Sequence, residues 1–261
     1  MSSTVYPQGT FCWPELATTD QNAAKGFYGK VFGWGFIDQP LGPDQAYTIF
    51  QYKDKPVGAA HAMHPGQVSA GVPPHWMSYV AVSNVDETTA KAKSLGGSVL
   101  LEPFDVFSLG RMSVIQDPTG GIFSAWQAKE LNGIGVKDEA SSLVWTELMT
   151  TDADKARDFY AMLIGWTPQV MEMGPMKYTV FNLNNQPAAG MMQMTPDMGA
   201  MPSNWTPYFG VDDCDAFVKT AEGAGGKAMI PPSDIPTVGR FSVLQDPQNA
   251  VFAVIKFLPR G

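Results

Sequence analysis

ELATTDQNAAKGFYGKVFGW (15–34) and ELMTTDADKARDFYAMLIGW (147–166) lie 132 residues apart in one chain. Aligned from Phe11 and Leu143, the two stretches are identical at 11 of 24 positions, from Trp13/Trp145 and Glu15/Glu147 to Gly33/Gly165 and Trp34/Trp166. The chain is therefore an internal duplication, and its halves must share a fold. Each stretch changes period partway along. A short apolar strand (10–17; 143–149) ends at an aspartate, Asp20 or Asp152, whose side-chain oxygen is placed to cap a helix. Ala24, Phe27, Tyr28, Val31 and Phe32, mirrored by Ala156, Phe159, Tyr160, Leu163 and Ile164, then follow the spacing of one buried helical face. Gly33 and Gly165 end those helices.

Outward from this core the repeat continues. YTIFQYKDKP (47–56) matches YTVFNLNNQP (178–187), and GRMSVIQDP (110–118) matches GRFSVLQDP (239–247). Strands are predicted over 46–52 and 56–63, with equivalents 177–183 and 188–194, giving β-α-β-β or β-α-β-β-β. The plan then recurs within each half. A strand near 76–82 (205–211) leads to a helix starting near Asp86 (Asp215) and closed by Gly96-Gly97 (Gly225-Gly226). A hairpin through Gly110-Arg111 (Gly239-Arg240) follows, running into 122–126 (251–255). The expected class is α+β, four small modules, two per half. Residues 1–128 form the first domain, 129–142 a polar linker without periodicity, and 143–261 the second domain.

Composition narrows the partners. The 261 residues are 44% hydrophobic, enough for a sizeable core. A formal charge of −8 and a pI near 4.8, with no basic cluster, make nucleic acid and membrane surfaces poor partners. The first ten residues lack a signal-peptide pattern and no stretch is long enough to span a membrane, so a soluble, cytoplasmic protein is expected. Cys12 and Cys214 occupy positions that are not repeat-equivalent and are expected to be two buried thiols.

The strand, capping Asp, helix ending in Phe-Tyr and Gly-Trp, and later Asp-Pro turns (QDPTGG, 116–121; QDPQNA, 245–250) together resemble the vicinal oxygen chelate superfamily. This is the glyoxalase, bleomycin-resistance and extradiol-dioxygenase group. The resemblance implies paired βαβββ modules curling around a concave cup that holds a small organic molecule, often over a divalent metal. Metal-binding members take ligands from inward positions on the first and last strand of each module. Here those positions fall on Trp13 and Trp145 in the first strand, with Glu15 and Glu147 two residues on, and on Ser124 and Ala253 in the last. The expected last-strand carboxylates are absent. Glu15, His61 and His75 remain as a candidate three-ligand set in the first half, suited to zinc or iron, with manganese or nickel as further divalent candidates. In the second half Glu147, Gln193 and Asn204 stand at the corresponding places.

Glu15 and Glu147, set in apolar strands, are the candidate catalytic carboxylates. A desolvated carboxylate has a raised pKa and works as a general base near neutrality. Equally, each Glu would serve structure by hydrogen-bonding a neighbouring strand or by pairing with Arg111 or Arg240. Trp13, Tyr79, Trp126, Trp145, Gln193 and Tyr208 are the candidate ligand-binding residues. Two functions follow: a metal-independent cup that binds or transforms a small organic molecule, or a metal-dependent lyase, isomerase or dioxygenase with one site in the first half. Self-association is left open, because such modules pair within or between chains.

Overall fold

The computed structural model describes residues 5–43, 45–173, 176–195, 198 and 201–259. In the first half β1 (Phe11–Thr18), α1 (Gln21–Phe32), β2 (Gly35–Gly42), β3 (Gln45–Tyr52) and β4 (Lys55–Ala62) form one βαβββ module, followed by the short helix α2 (Pro65–Ser69). The second module comprises β5 (His75–Ala81), α3 (Val85–Ser94), β6 (Ser98–Val106), β7 (Gly110–Gln116) and β8 (Ile122–Ala128). The second half repeats the plan with β9 (Leu143–Thr150), α4 (Ala153–Ile164), β10 (Thr167–Met173), β11 (Met176–Leu183) and β12 (Gln186–Gln193). Then come β13 (Asn204–Gly210), α5 (Cys214–Glu222), β14 (Lys227–Ile235), β15 (Gly239–Gln245) and β16 (Val251–Phe257).

Each half makes one eight-stranded sheet, ordered β2-β3-β4-β1-β5-β8-β7-β6 and β10-β11-β12-β9-β13-β16-β15-β14. The first strands of the two modules, β1 and β5, pair antiparallel at the centre, and each is flanked by the parallel last strand of its own module. The helix signals act as read. Asp20 and Asp152 accept from Ala23 N and Lys155 N, and Gly33 and Gly165 take the left-handed conformation that favours glycine.

The helices lie between the sheets. Alternation along β1 sends Leu16 to the helical side and Trp13, Glu15 and Ala17 to the opposite, concave side. One core joins α1 and α5 to residues of both sheets, including Leu16, Phe50, Phe209 and Phe252. The other joins α3 and α4 to Ile115, Phe123, Leu148 and Phe181. Each half's helix thus buries apolar surface of the other half.

Polar groups cross at the same places. Tyr28 Oη donates to Asp246 Oδ2 (3.0 Å) and receives Trp76 Nε1 (3.0 Å). Reciprocally, Tyr160 Oη donates to Asp117 Oδ2 (2.8 Å) and receives Trp205 Nε1 (2.8 Å). The Asp of each Gln-Asp-Pro turn spends its other oxygen on its own turn's backbone N–H groups. Trp166 Nε1 donates to Gly9 O and Trp34 Nε1 to Ser141 O, again a reciprocal pair.

The linker departs from its sequence reading. Residues 129–142 are polar on average, yet Ile134 and Val136 are buried. Ile134 N donates to Cys12 O, Gly135 N donates to Pro56 O, and Leu131 O receives Trp126 Nε1. The segment is packed chain, because two apolar residues suffice to anchor it where backbone partners are ready. Cys12 and Cys214 are free, buried thiols. Among the described residues no helix is long and apolar enough to cross a membrane.

Candidate functional site

Each concave face carries the same polar cluster on an apolar floor. In the first cup Glu15 lies opposite Ala59 on β4 and Met77 on β5. Tyr79 Oη donates to Glu15 Oε1 at 2.8 Å, Tyr47 Oη donates to Oε2, and Trp13 Nε1 donates to Tyr47 Oη at 3.0 Å. An indole N–H can only donate, so the chain runs from Trp13 through Tyr47 to the carboxylate. In the second cup Trp145 Nε1 donates to Tyr178 Oη (3.1 Å), Tyr178 to Glu147 Oε2 (2.6 Å) and Tyr208 to Oε1 (2.9 Å). Gly190 makes this approach fit, since a Cβ there would run into the Tyr178 hydroxyl and Trp145 Nε1. Trp126 packs edge-on to Tyr79 at 6.3 Å, and Ser124 and Ala253 sit on the floors opposite Tyr79 and Tyr208.

The two carboxylates differ in charge environment. His61 Nε2 stands 3.4 Å from Glu15 Oε1. Burial pushes Glu15 up, but the His61 hydrogen bond and charge, with the two tyrosines, hold its pKa below the usual 4.5. Burial likewise pulls His61 down, and Glu15 more than reverses this, leaving its pKa above 6.5. Glu147 has only its two tyrosines, and burial leaves its pKa raised. Burial and then the adjacent carboxylate push all four tyrosine hydroxyls up, which keeps them protonated as donors.

The rims of the cups are not copies. Across β3, β4, β1 and β5 the outer row reads Tyr47, His61, Ala17, His75, by direct cross-strand pairing. The matching row of the second sheet reads Tyr178, Met192, Met149, Asn204. This corrects the placement of Gln193. Counting from the preceding glycine equates it with His61, but strand register equates it with Ala62, and a one-residue slip moves a side chain to the other face. Gln193 leaves the cup and accepts from Ala153 N at the start of α4.

Of the two structural roles expected for the glutamates, hydrogen bonds to neighbouring strands are present, and the pairing with arginine is corrected. Arg111 binds Asp86 and Asp105, and Arg240 binds Asp215 and Asp234, because each guanidinium lies near the second module's helix start. Tyr47 and Tyr178 complete both clusters and were visible in sequence only as the repeated YTIF and YTVF motifs.

Of the three candidate metal ligands, register puts Glu15, His61 and His75 on one face in adjacent rows. The structure brings together two: the His75 ring is turned so that Nδ1 meets Pro73 O at 2.9 Å. Among the described residues no three His, Cys, Asp or Glu side chains are grouped to hold a metal ion. With Ser124 and Ala253 in place of last-strand carboxylates, the donor set does not fit a multi-ligand centre.

Residues 10–123 and 142–254 each match the family described as Glyoxalase/Bleomycin resistance protein/Dioxygenase superfamily, and the chain belongs to it. Among its relatives, "Putative glyoxylase CFP32" of Mycobacterium bovis is 42% identical over 257 residues, covering 98% of this chain and 97% of that protein. "Anthracycline biosynthesis protein DnrV" of Streptomyces peucetius is 33% identical over 264 residues, covering 97% and 95%. Solved structures with the same fold include the Mn(II)-bound glyoxalase of Novosphingobium aromaticivorans (TM-score 0.68, 15% identity, 97% of this chain and 83% of that one). Another is the 2,3-dioxygenase LapB of Pseudomonas sp. KL28 (TM-score 0.64, 11% identity, 95% and 93%).

Proposed function

We propose that the concave cups bind or transform a small organic molecule without a metal centre. The observation that carries this reading is the Trp–Tyr–Glu–Tyr cluster present in both cups. A carboxylate in an apolar wall is costly, and neither Glu15 nor Glu147 ties a helix or joins the halves. Each does join neighbouring strands through its tyrosines, yet a buried titratable group kept at that cost in both copies supports a ligand-facing role. Trp13, Tyr79 and Trp126 in one cup, and Trp145 and Tyr208 in the other, form the apolar wall around the carboxylate, all but Trp145 of them buried. Glu15 or Glu147 orients its polar group or accepts its proton. The names of the relatives, a glyoxylase and an anthracycline biosynthesis protein, also point toward small-molecule chemistry. A cytoplasmic location fits the two free thiols.

The second reading, a metal-dependent lyase, isomerase or dioxygenase in the first half, is favoured by the shared face of Glu15, His61 and His75. One experiment separates the two. Elemental analysis of dialysed protein, paired with calorimetric binding of aromatic acids and amides, is expected to show less than stoichiometric metal and binding unchanged by chelator. About one divalent ion per chain, lost in His61→Ala and in His75→Ala, would establish the second reading instead.

A further inference from the structure

The two sheets end in four edge strands, β2, β6, β10 and β14. An edge leaves alternate backbone N–H and C=O groups unpaired, and folded chains blunt it with bulges, prolines or a charge turned inward. On β6 the register breaks twice, with Pro103 in the second break, and on β14 it breaks twice, with Pro231 and Pro232 in the second. On β2 it breaks between Pro40 and Gly42, and Asp38 is held inward by Thr48 Oγ1 (2.6 Å) and Lys25 Nζ (3.0 Å). Beyond Pro168 at its start, β10 carries none of these devices. Its pairing with β11 runs unbroken from Thr167 to Met173. Val170, opposite Thr179, stands where β2 has Asp38 opposite Thr48, and Arg157, at the repeat position of Lys25, pairs with Asp154 and Asp158 instead. Val170 is 49% exposed on the helical side of the sheet and Met171 41% on the concave side, so the middle of the strand is apolar on both faces. Glu172, the one charged residue of the strand, lies opposite Lys177 on β11.

We propose that β10 is the pairing edge for a second copy of this chain, joined antiparallel about a two-fold axis normal to the sheet at Val170. Such a contact is self-complementary. A strand that fits this edge must itself be unbroken and uncharged at its centre, and of the four edges β10 alone meets that requirement. Residues opposite one another in an antiparallel pair share a face, so Val170 meets Val170 of the second copy, Gln169 meets Met171, and Glu172 meets Pro168. No like charges are apposed, and Glu172 keeps Lys177 of its own chain. The same operation on β2 would set Asp38 against Asp38, which confines the join to the second half. The two sheets become continuous in their own plane, and the join covers neither concave face.

The test is sedimentation equilibrium of the full chain, which should give a dimer that dissociates on dilution through about 100 to 1 μM. Val170→Asp, which installs the residue of the first edge, should weaken association at least about tenfold. Met171→Lys, an exposed change on the opposite face, should do the same with an unaltered circular dichroism spectrum, which guards against a folding defect in the first variant. Gln39→Lys, at the matching place on β2, should leave association unchanged. In the parent, amide exchange within residues 169–172 should slow as concentration rises. A chain that stays monomeric at about 100 μM would overturn the proposal and leave β10 as an edge for a different extended chain. A dimer that survives both β10 variants, or one that Gln39→Lys weakens as much as they do, would overturn it by placing the contact elsewhere.

Discussion

At the level of single residues the two glutamates, identical in sequence context, should respond oppositely to neutralisation. Glu15→Gln removes the partner of a charged histidine and should destabilise by about 1 to 2 kcal/mol, a figure reduced because His61 is partly exposed. Glu147→Gln removes a carboxylate that burial already disfavours. Its raised pKa means that ionisation costs stability as pH rises above 4.5, so this variant should match or exceed the parent in thermal denaturation at neutral pH. For His61 the sign is the reverse. A raised imidazolium pKa contributes fully below the unfolded value of 6.5 and is lost as pH rises through the folded value. The lowered Glu15 contributes above 4.5 and is lost in acid. The melting temperature gap between the parent and His61→Met should therefore be widest between those two values and narrow on either side. Most of this cluster was legible, because a Trp and a Glu two residues apart recur in both halves, and so do Tyr79 and Tyr208. What sequence could not supply was register. Gln193 and Met192 are neighbours in the chain, and only strand pairing decides which one faces the concave side.

At the level of elements, helix boundaries were read well because their causes are local: an Asp cap, a glycine in the left-handed region, an apolar stripe. Gln193, displaced from the cup, has a structural duty there. It supplies a second acceptor to the first turn of α4, whose Asp152 already holds Lys155 N. Gln193→Ala should cost about 0.5 to 1 kcal/mol and lower the melting temperature by about 1 to 4 °C, with binding of aromatic amides unaltered. Gly110 is different, since a Cβ there would enter the Trp126 ring, which in turn holds Leu131 of the linker. Gly110→Ala should destabilise by about 1 to 3 kcal/mol and speed amide exchange in residues 131–136. The linker was the least legible element. Its fixing comes from Cys12 and Pro56, more than 75 residues away in sequence, and no local period announces such partners.

At the scale of the molecule the halves should unfold as one unit, because each completes the other's core. Tyr160→Phe leaves an Asp117 oxygen buried without its donor and should cost about 1 to 3 kcal/mol; Tyr28→Phe should do the same through Asp246. Either variant should shift a single calorimetric transition and lower exchange protection in both sheets. A transition that splits in two would show that the halves are energetically separate. Sequence located Tyr28, Tyr160 and both Gln-Asp-Pro turns and placed the tyrosines on a buried face, but nothing in a repeat says which copy a side chain will meet. The crossed tyrosine–aspartate bonds have the form of a twofold contact, in which a residue of one copy meets a second residue of the other and the relation is returned. The polypeptide thus carries within itself the interface of a homodimer of half-length chains, joined end to end. Such a fusion releases a constraint that binds any true homodimer, where every substitution appears twice. With the self-complementary surface held on the helical side, one cup carries histidine at its rim where its sibling carries methionine, so a single gene encodes two faces that are free to differ.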